Sequence, residues 1–383
     1  VVQRYGADVT GGSESLARAL AERLNPEGPV TVFTTCARDY VSWANERPAG
    51  ESLEGGVRVR RFPAGETRDL AAFNRFAEPL YTRATTRDEE VEFLRRQGPL
   101  VPSLVEALER EKDRFRAVLF FTYLYYPTYW GLLAAPERAI LVPTTHDEPP
   151  LRFSIYRELF ARARAFAFLT PPEEDLVRSR FEIGERPALV AGMGVDAAGP
   201  DVEAFRRAHH VARPYAVYAG RIDAGKGCAQ MLEAYARYRQ EAMEPLDLVL
   251  LGRLAMPEPR GAGVRHLGFL PEGDKAAALA GATVVLCPSP YESLSIVLLE
   301  GFALGVPGLV NGRSAVLREH CHRSGGGLYY QDEDEFVEAL LRLSGDAPLR
   351  QALGEGGRRY VQEHYRWETV LERYRTLIHA VSD

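Results

Sequence analysis

No apolar run in this chain is long enough to cross a bilayer. Its opening residues, VVQRYGADVTGG, have none of the layout of a secretion signal. The lone VVQ before a glycine turn reads instead as the tail of a first strand, so the start looks clipped. Cysteine is sparse: Cys36, Cys228, Cys287 and Cys321 stand singly, with no CxxC pair. They read as reduced, mostly buried thiols of a cytoplasmic protein. Lysine is nearly absent. Lys112, Lys226 and Lys275 are the only three, every other cation being arginine. This fits a GC-rich coding sequence, and it makes each lysine worth attention. A basic field is missing too, since the net charge is -6. That argues against nucleic acid as a partner. No GxGxxG follows a strand, which argues against a dinucleotide-dependent dehydrogenase, and the absence of GxxxxGK[ST] excludes a Walker loop. Low-complexity tracts and short-period repeats are also lacking.

What is present is ordinary globular sequence, 46% hydrophobic and 26% charged over 383 residues. At roughly 100–200 residues per domain, this length suggests two domains, each with its own core. Apolar runs alternate with amphipathic stretches. In the first half, Ser13–Arg23 reads as a helix, and Pro29–Thr35, Val57–Phe62, Ala117–Tyr123 and Ala139–Asp147 as strands. A helix over Ser154–Arg164, a strand over Ala165–Thr170 and a helix over Glu173–Phe181 follow. Val91–Arg110, broken by Gly98-Pro99, reads as an irregular insertion. In the second half, Tyr215–Gly220, Asp247–Gly252, Val264–Leu270, Thr283–Ser289 and Pro307–Asn311 read as strands. Gly227–Gln240, Lys275–Ala280, Leu294–Leu304, Glu333–Leu343, Pro348–His364 and Trp367–Val381 read as helices. The Gly/Pro/Ala-rich stretch Glu185–Asp201 reads as the join. Such alternation implies two α/β domains with parallel, doubly wound sheets. The expected arrangement has them facing across a cleft, with ligands at the carboxyl ends of the strands.

Two segments carry the chemistry. In YAGRIDAGKG (Tyr218–Gly227) a buried strand ends at Gly220 and a helix begins near Cys228. Glycines allow a tight turn that bares backbone N–H groups, and a helix start adds partial positive charge. Arg221 and Lys226 add full charges, so the loop suits a diphosphate. An ordinary strand–helix turn with solvated cations fits the spacing equally well. In PSPYESLSIVLLEGFALGVP (Pro288–Pro307), Glu292 sits in a loop ahead of a helix, where the N–H groups of Ser293, Leu294, Ser295 and Ile296 would be free to bind oxygens. Glu300 lies among Leu298, Leu299 and Phe302. A carboxylate there is costly unless paired or hydrogen-bonded. A ribose diol could satisfy it, and so could a buried salt bridge to an arginine.

Glu292-x7-Glu300, preceded by GRIDAGKG, resembles glycosyltransferase family 4 (group 1), whose members are retaining and have the GT-B fold. The resemblance runs over nearly the whole chain. GADVTGGSE resembles the family's N-terminal glycine loop, PTTHDEP its mid-chain histidine segment and VAGMGVD (Val190–Asp196) its interdomain hinge. HLGFLPEGDK resembles the segment beside the nucleobase, and the last helix the one that crosses back. The resemblance implies an acceptor-binding Rossmann-like domain over residues 1–188, with residues 366–383 crossing back onto it. It implies a nucleotide-sugar-binding Rossmann-like domain over residues 189–365. By the same resemblance Arg221 and Lys226 hold the diphosphate and stabilise the departing nucleotide. Glu300 holds the ribose, and Glu292 contacts the sugar hydroxyls. The Ser293–Ile296 backbone cradles the sugar and distal phosphate, and Phe269 and Leu270 flank the base. Gly12 lets the N-terminal loop approach from the other side, and His146 sits near the sugar and the attacking acceptor. The chain departs from the family in reading ESLSIV where many members have a GFGLP-like run. It also has Gly252-Arg253-Leu254 where GxG is expected. Arg253 there is either a further phosphate or base contact or a solvated arginine.

The implied reaction moves a hexosyl unit from a UDP- or GDP-sugar to a glycan, lipid-linked or small-molecule hydroxyl, in bacterial polysaccharide, glycolipid or glycoconjugate synthesis. No cofactor is required beyond the nucleotide-sugar donor, and no metal. Rival readings on the same fold are a sugar phosphorylase, a nucleotide-sugar epimerase and a degenerate nucleotide-sugar-binding subunit. QDEDEF (Gln331–Phe336) reads as helix capping rather than a metal site, and HCHR (His320–Arg323) has no partner ligands at zinc spacing. Asp147 reads as a loop-capping acid. The aromatic run Phe120–Trp130 reads mainly as core, with an acceptor groove as the alternative, and Arg95–Pro99 as a lip of that groove. Arg58–Arg61 and Arg152–Arg164 read as solvated faces, with peripheral contact to an anionic membrane at the inner face as the alternative. Nothing in the sequence specifies an oligomeric state.

Overall fold

The computed structural model describes residues 1–9, 11–196 and 199–382. Thr10 of the glycine-rich opening loop, Ala197 and Ala198 of the join, and Asp383 of the crossing segment lie outside them. The chain packs into two compact units, Val1–Gly192 with the segment from Leu371 onward, and Met193–Val370.

The first unit contains strands β1 (Thr31–Thr35), β2 (Gly50–Glu54), β3 (Val57–Phe62), β4 (Val118–Phe121), β5 (Ala139–Val142), β6 (Ala165–Phe168) and β7 (Ala188–Val190). They form a three-stranded sheet ordered β1-β3-β2 and a four-stranded parallel sheet ordered β4-β5-β6-β7. The opening VVQ lies between the two. Val2 N donates to Phe33 O of β1 (3.1 Å), while Phe121 N of β4 donates to Val1 O (3.1 Å). β5 and β6 are buried at every position, as strands covered on both faces are.

Several expectations about this unit are corrected. The stretch read as an irregular insertion is two helices, Arg87–Gln97 and Pro102–Glu111, with Gly98-Pro99 between them. Thr86 and Glu89 form a reciprocal capping box at the first, and proline occupies the first turn of the second. β2, paired antiparallel to β3, and the helices Leu70–Leu80 and Tyr126–Ala134 are additional to the expected elements. The aromatic run belongs to the core. Phe120, Tyr123 and Tyr129 are fully buried, and Tyr126 and Trp130 pack against the same cluster. The arginines of β3 do not form a free basic face. Arg58 pairs with Glu51 (2.6 Å), Arg60 with Glu111 (2.7 Å) and Arg61 with Glu54.

The second unit holds β8 (Tyr215–Ala219), β9 (Asp247–Leu251), β10 (Val264–Gly268), β11 (Val284–Cys287), β12 (Gly308–Asn311) and β13 (Gly327–Tyr330). All pair in parallel, in the order β10-β9-β8-β11-β12-β13. From β8 the chain builds outward to β10, then crosses back to lay β11 on β8's other side. The switch point therefore lies between β8 and β11. The helices Cys228–Glu241 and Glu333–Gly345 pack their apolar faces onto this sheet through Met231, Tyr235, Phe336 and Leu340. The helix Ile296–Ala303 approaches so closely that a Cβ on Gly301 would meet Val285 Cγ2 at 2.7 Å. The helices Val202–Ala208 and Ala315–Ser324 and the strand β13 are additional to the expected elements. No helix among the described residues is long and apolar enough to cross a membrane.

The segments that join the units are packed. The helix Trp367–Ser382 begins in the second unit and ends in the first. At its start the Trp367 ring lies over Gly194, where a Cβ would sit 2.2 Å from Trp367 Cδ2. Beyond Leu371, Tyr374 donates to Gly192 O (3.3 Å) and Arg375 pairs with Glu27. Gly194→Ala is expected to lower stability by about 1–3 kcal/mol through overpacking against Trp367. Gly28→Ala, where the added carbon meets nothing within 4 Å, should be close to neutral. Urea midpoints of the two variants check this.

Candidate active site

Four neighbouring parallel strands deliver most of the expected site residues to one edge of the second unit. Arg221 and Lys226 follow β8, Arg253 follows β9, Phe269 and Leu270 follow β10, and residues 292–296 follow β11. Glu300 comes one turn into the helix after β11. This is the carboxyl edge at the switch point, where ligands of open α/β sheets bind.

Backbone contact holds the loops together. Gly227 adopts φ 73° ahead of the helix Cys228–Glu241, and a Cβ there would lie 2.3 Å from Pro288 O in the loop after β11. Gly252, at φ 126°, would bring a Cβ within 2.0 Å of Gly220 O. Only glycine fits either position. Gly252 N in turn donates to Gly268 O (2.7 Å), so β8, β9 and β10 end in register. Asp223 caps the short turn Ala224–Lys226 by accepting from Lys226 N (2.9 Å), and it also holds Arg221 Nε. Asn311 Nδ2 pins the loop after β11 by donating to Pro288 O (2.9 Å).

The two glutamates of the Glu-x7-Glu segment each hold a lysine. Lys226 Nζ lies 2.7 Å from Glu292 Oε1, joining the loops after β8 and β11. Lys275 Nζ lies 2.9 Å from Glu300 Oε1 and 2.7 Å from Glu272 Oε2. Two of the chain's three lysines thus neutralise these two carboxylates. Glu300 Oε2 is buried and has no hydrogen-bond partner among the described residues. Burial raises the Glu300 carboxyl above the usual range, and Lys275 opposes that shift. The buried pair weighed for Glu300 exists, with a lysine in place of an arginine, and it satisfies only one oxygen. Lys275 was missed as a site residue, although the scarcity of lysine marked it.

The helix expected from Leu294 starts at Ile296 because Ser295 takes a left-handed conformation (φ 66°, ψ 72°). Residues 293–295 are therefore loop. The N–H groups of the first helical turn have no acceptors within the helix, and a non-glycine residue held in that region marks a constrained site. Phe269 is two-thirds exposed at the end of β10, whereas Leu270 is buried. Arg253 is exposed, and its backbone carbonyl accepts from Ile222 N (2.9 Å).

His320, dismissed as a zinc ligand, is fully buried behind this loop. Its Nε2 lies 2.8 Å from Leu294 O and its Nδ1 3.1 Å from Tyr360 OH. No group of three or more metal-ligating side chains occurs among the described residues. QDEDEF caps a helix, with the Asp332 side chain accepting from Glu335 N (2.9 Å). All four cysteines are free and buried.

Gly12 and His146 belong to the first unit. Gly12 is the first residue of the helix Gly12–Leu24, while the positive φ of 155° falls on Gly11. A Cβ on Gly11 would strike Glu14, a buried carboxylate that binds Arg4 Nε (2.9 Å) and Gln3 Nε2 (3.0 Å). His146 follows β5. Its Nδ1 lies 3.9 Å from Glu148 Oε1, which accepts from Tyr123 OH at 2.8 Å. Burial raises the Glu148 carboxyl. Asp147 is exposed and pairs with Arg180 (3.1 Å).

Residues 201–360 match the family model described as glycosyl transferases group 1. Over these residues the chain is similar to group 1 glycosyl transferases. These residues include Arg221, Lys226, Glu292 and Glu300. Over 160 residues the chain is 31% identical to the MMP alpha-(1->4)-mannosyltransferase of Mycolicibacterium hassiacum, covering 38% of each protein. Over 179 residues it is 26% identical to the alpha-maltose-1-phosphate synthase of Mycobacterium tuberculosis, covering 42% of this chain and 46% of that one. The chain thus spans less than half the length of these two curated relatives. Among solved structures, sucrose-phosphate synthase from Thermosynechococcus elongatus superposes with a TM-score of 0.75 at 20% identity, covering 98% of this chain and 96% of that one. Anabaena HepE in complex with UDP and glucose gives 0.71 at 15% identity, covering 98% of each. The chain thus has a GT-B fold built of two Rossmann-like domains.

Burial lowers the His320 pKa from 6.5 to about 4. A buried neutral histidine supplies its full stability above pH 6.5 and loses it as pH falls toward 4, because only the unfolded chain then takes up a proton. Between pH 7 and 4.5 the wild type should lose roughly 2–3 kcal/mol more than His320→Gln. Urea unfolding at the two pH values reads the difference.

Proposed function

We propose that this protein is a retaining glycosyltransferase that moves a hexosyl unit from a UDP- or GDP-sugar to an acceptor hydroxyl. The observation that carries the reading is the pair of lysine-held glutamates at the carboxyl edge of the group 1-like domain, one of them with a buried oxygen unpartnered among the described residues. Glu300 Oε2 suits a ribose hydroxyl, which can donate to it where no other described residue does. Phe269 offers an exposed ring to the base, and Arg253 a cation. Arg221 and Lys226 carry the charge that a diphosphate needs, and the backbone of residues 293–296 supplies N–H donors for the sugar and distal phosphate.

In this reading the bond between the anomeric carbon and the diphosphate oxygen breaks while the acceptor oxygen bonds to that carbon on the same face. The acceptor proton passes to the departing phosphate oxygen. Arg221 and Lys226 stabilise the negative charge that grows on the leaving group, an electrostatic task worth about 10²–10³ in rate per donor. Glu292 is bound to Lys226, which suits a carboxylate that receives sugar hydroxyls and makes it a weak nucleophile. His146, oriented beside Glu148, would serve the acceptor hydroxyl. Acceptors of glycan, lipid-linked or small-molecule type are all compatible with these roles. The names of the relatives, a mannosyltransferase and a maltose-1-phosphate synthase, support a hexosyl donor.

Arg221→Ala and Lys226→Ala are each expected to reduce transfer from the accepted donor by about 10²–10³-fold. Near-wild-type rates in both would sink the reading, as would phosphate-dependent cleavage or epimerisation in place of transfer. A thermal-shift panel of UDP, GDP, ADP and their common sugars identifies the donor, since a ligand that binds the folded state raises Tm. Glu300→Ala should abolish the preference for that nucleotide over its 2′-deoxy analogue. An undiminished preference would remove Glu300 from the ribose.

A further inference from the structure

His320 occupies the interior of the second unit, on the helix Ala315–Ser324, and its side chain is not itself among the groups assigned to substrate. Both of its ring nitrogens are engaged. Leu294 O, 2.8 Å from Nε2, can only accept, so Nε2 carries the hydrogen. In the neutral ring Nδ1 is then the acceptor, and Tyr360 OH donates to it over 3.1 Å. The Tyr360 oxygen is left to accept from Tyr365 OH at 3.3 Å. The hydrogen bonds thus run in one direction, from Tyr365 through Tyr360 and His320 to Leu294 O. Burial keeps the ring neutral, as this polarity requires. Tyr365 O also accepts from Val195 N (2.8 Å). The two backbone segments that lead to the neighbouring unit are thereby tied to the far end of the chain of bonds.

The peptide that His320 grips is a special one. Leu294 O lies outside the helix, whose first acceptor is Ser295 O, bonded to Leu299 N at 3.3 Å. No helical bond fixes the Leu294–Ser295 peptide plane. In a trans peptide the carbonyl and the following N–H point in opposite directions. Holding Leu294 O inward on His320 therefore turns the Ser295 N–H outward, and it has no acceptor among the described residues. It also holds Ser295 in its left-handed conformation, which persists only where the surroundings over-determine it.

We propose that His320 is a positioning residue for the donor loop: by fixing the Leu294 carbonyl it aims the Ser295 N–H at the sugar or distal phosphate of the donor. The assignment of that loop to the donor rests on the proposed function; the positioning of the loop does not. Two conservative variants separate the two ring nitrogens. His320→Gln brings an amide NH₂ near the place of Nε2 and can still donate to Leu294 O. His320→Asn is shorter, reaches only the place of Nδ1, and leaves Leu294 O without its donor.

The experiment measures hydrogen exchange over residues 291–299 in the free proteins, their Tm values, and the KM and kcat for UDP-glucose and GDP-mannose. His320→Asn is expected to speed exchange in that segment and to worsen donor KM on the order of tenfold, the effect of one buried carbonyl losing its partner. His320→Gln should stay within about threefold of wild type in KM, even if its Tm falls as far, because its bond to the carbonyl is retained. Exchange and KM that follow Tm alike in both variants would overturn the proposal, as would His320→Asn behaving as wild type. A wild type inert to both donors, with exchange still raised only in His320→Asn, would overturn the donor assignment and leave the positioning standing.

Discussion

The close approach of backbone to backbone at the carboxyl edge of the second sheet is the constraint on which the site depends. Gly227 lies against the Pro288 carbonyl, and Gly252 against that of Gly220. Those contacts draw the loops after β8, β9 and β11 into one small volume. A side chain at either glycine would part the loops. Lys226 and Glu292 would then lie on separate turns, and a salt bridge of 2.7 Å could not span them. The charges are consequences of this geometry. Two carboxylates and two lysines at this edge pair with one another, and in the proposed reading an anionic donor competes with Glu292 for Lys226.

Much of this was legible in the sequence because it rests on local signals. Strand and helix periodicity placed most elements of the second unit to within a few residues, and the glycines after β8 marked the turn that the site needs. The resemblance to group 1 glycosyltransferases named Arg221, Lys226, Glu292 and Glu300, and the fold brings these four to one edge. Other features were hidden because their causes are not local. The apolar stretch after Glu292 looks helical from Leu294, but Ser295 is left-handed, and the carbonyl before it is held by a histidine 26 positions along the chain. Lys275 is marked in the sequence only by the rarity of lysine, and its place beside Glu300 comes from the fold. The residues around Gly98-Pro99 looked irregular since a Gly-Pro pair ends any helical pattern. The capping box at Thr86 was the overlooked signal that two helices flank the break.

Polar groups buried in the second unit are organised around carbonyls that the secondary structure leaves over. Asn311 serves Pro288 O, Tyr218 serves Arg221 O (2.7 Å) and His320 serves Leu294 O. Each of these carbonyls belongs to a loop at the sheet's edge. An unsatisfied buried carbonyl is costly, so each side chain both removes a penalty and fixes a peptide plane. Loops that would otherwise sample many conformations are held by single hydrogen bonds from the core beneath them.

The final helix has a consequence for biogenesis. Its residues from Leu371 onward belong to the first unit, where Tyr374, Leu377 and Val381 are buried. A nascent chain emerges from the ribosome N-terminal end first. The first unit therefore waits, with part of its apolar surface uncovered, until the whole second unit has been synthesised and the last turns have left the exit tunnel. Translation order and completion of the two units thus run opposite to each other. Of the two units, the one made earlier is the one finished later.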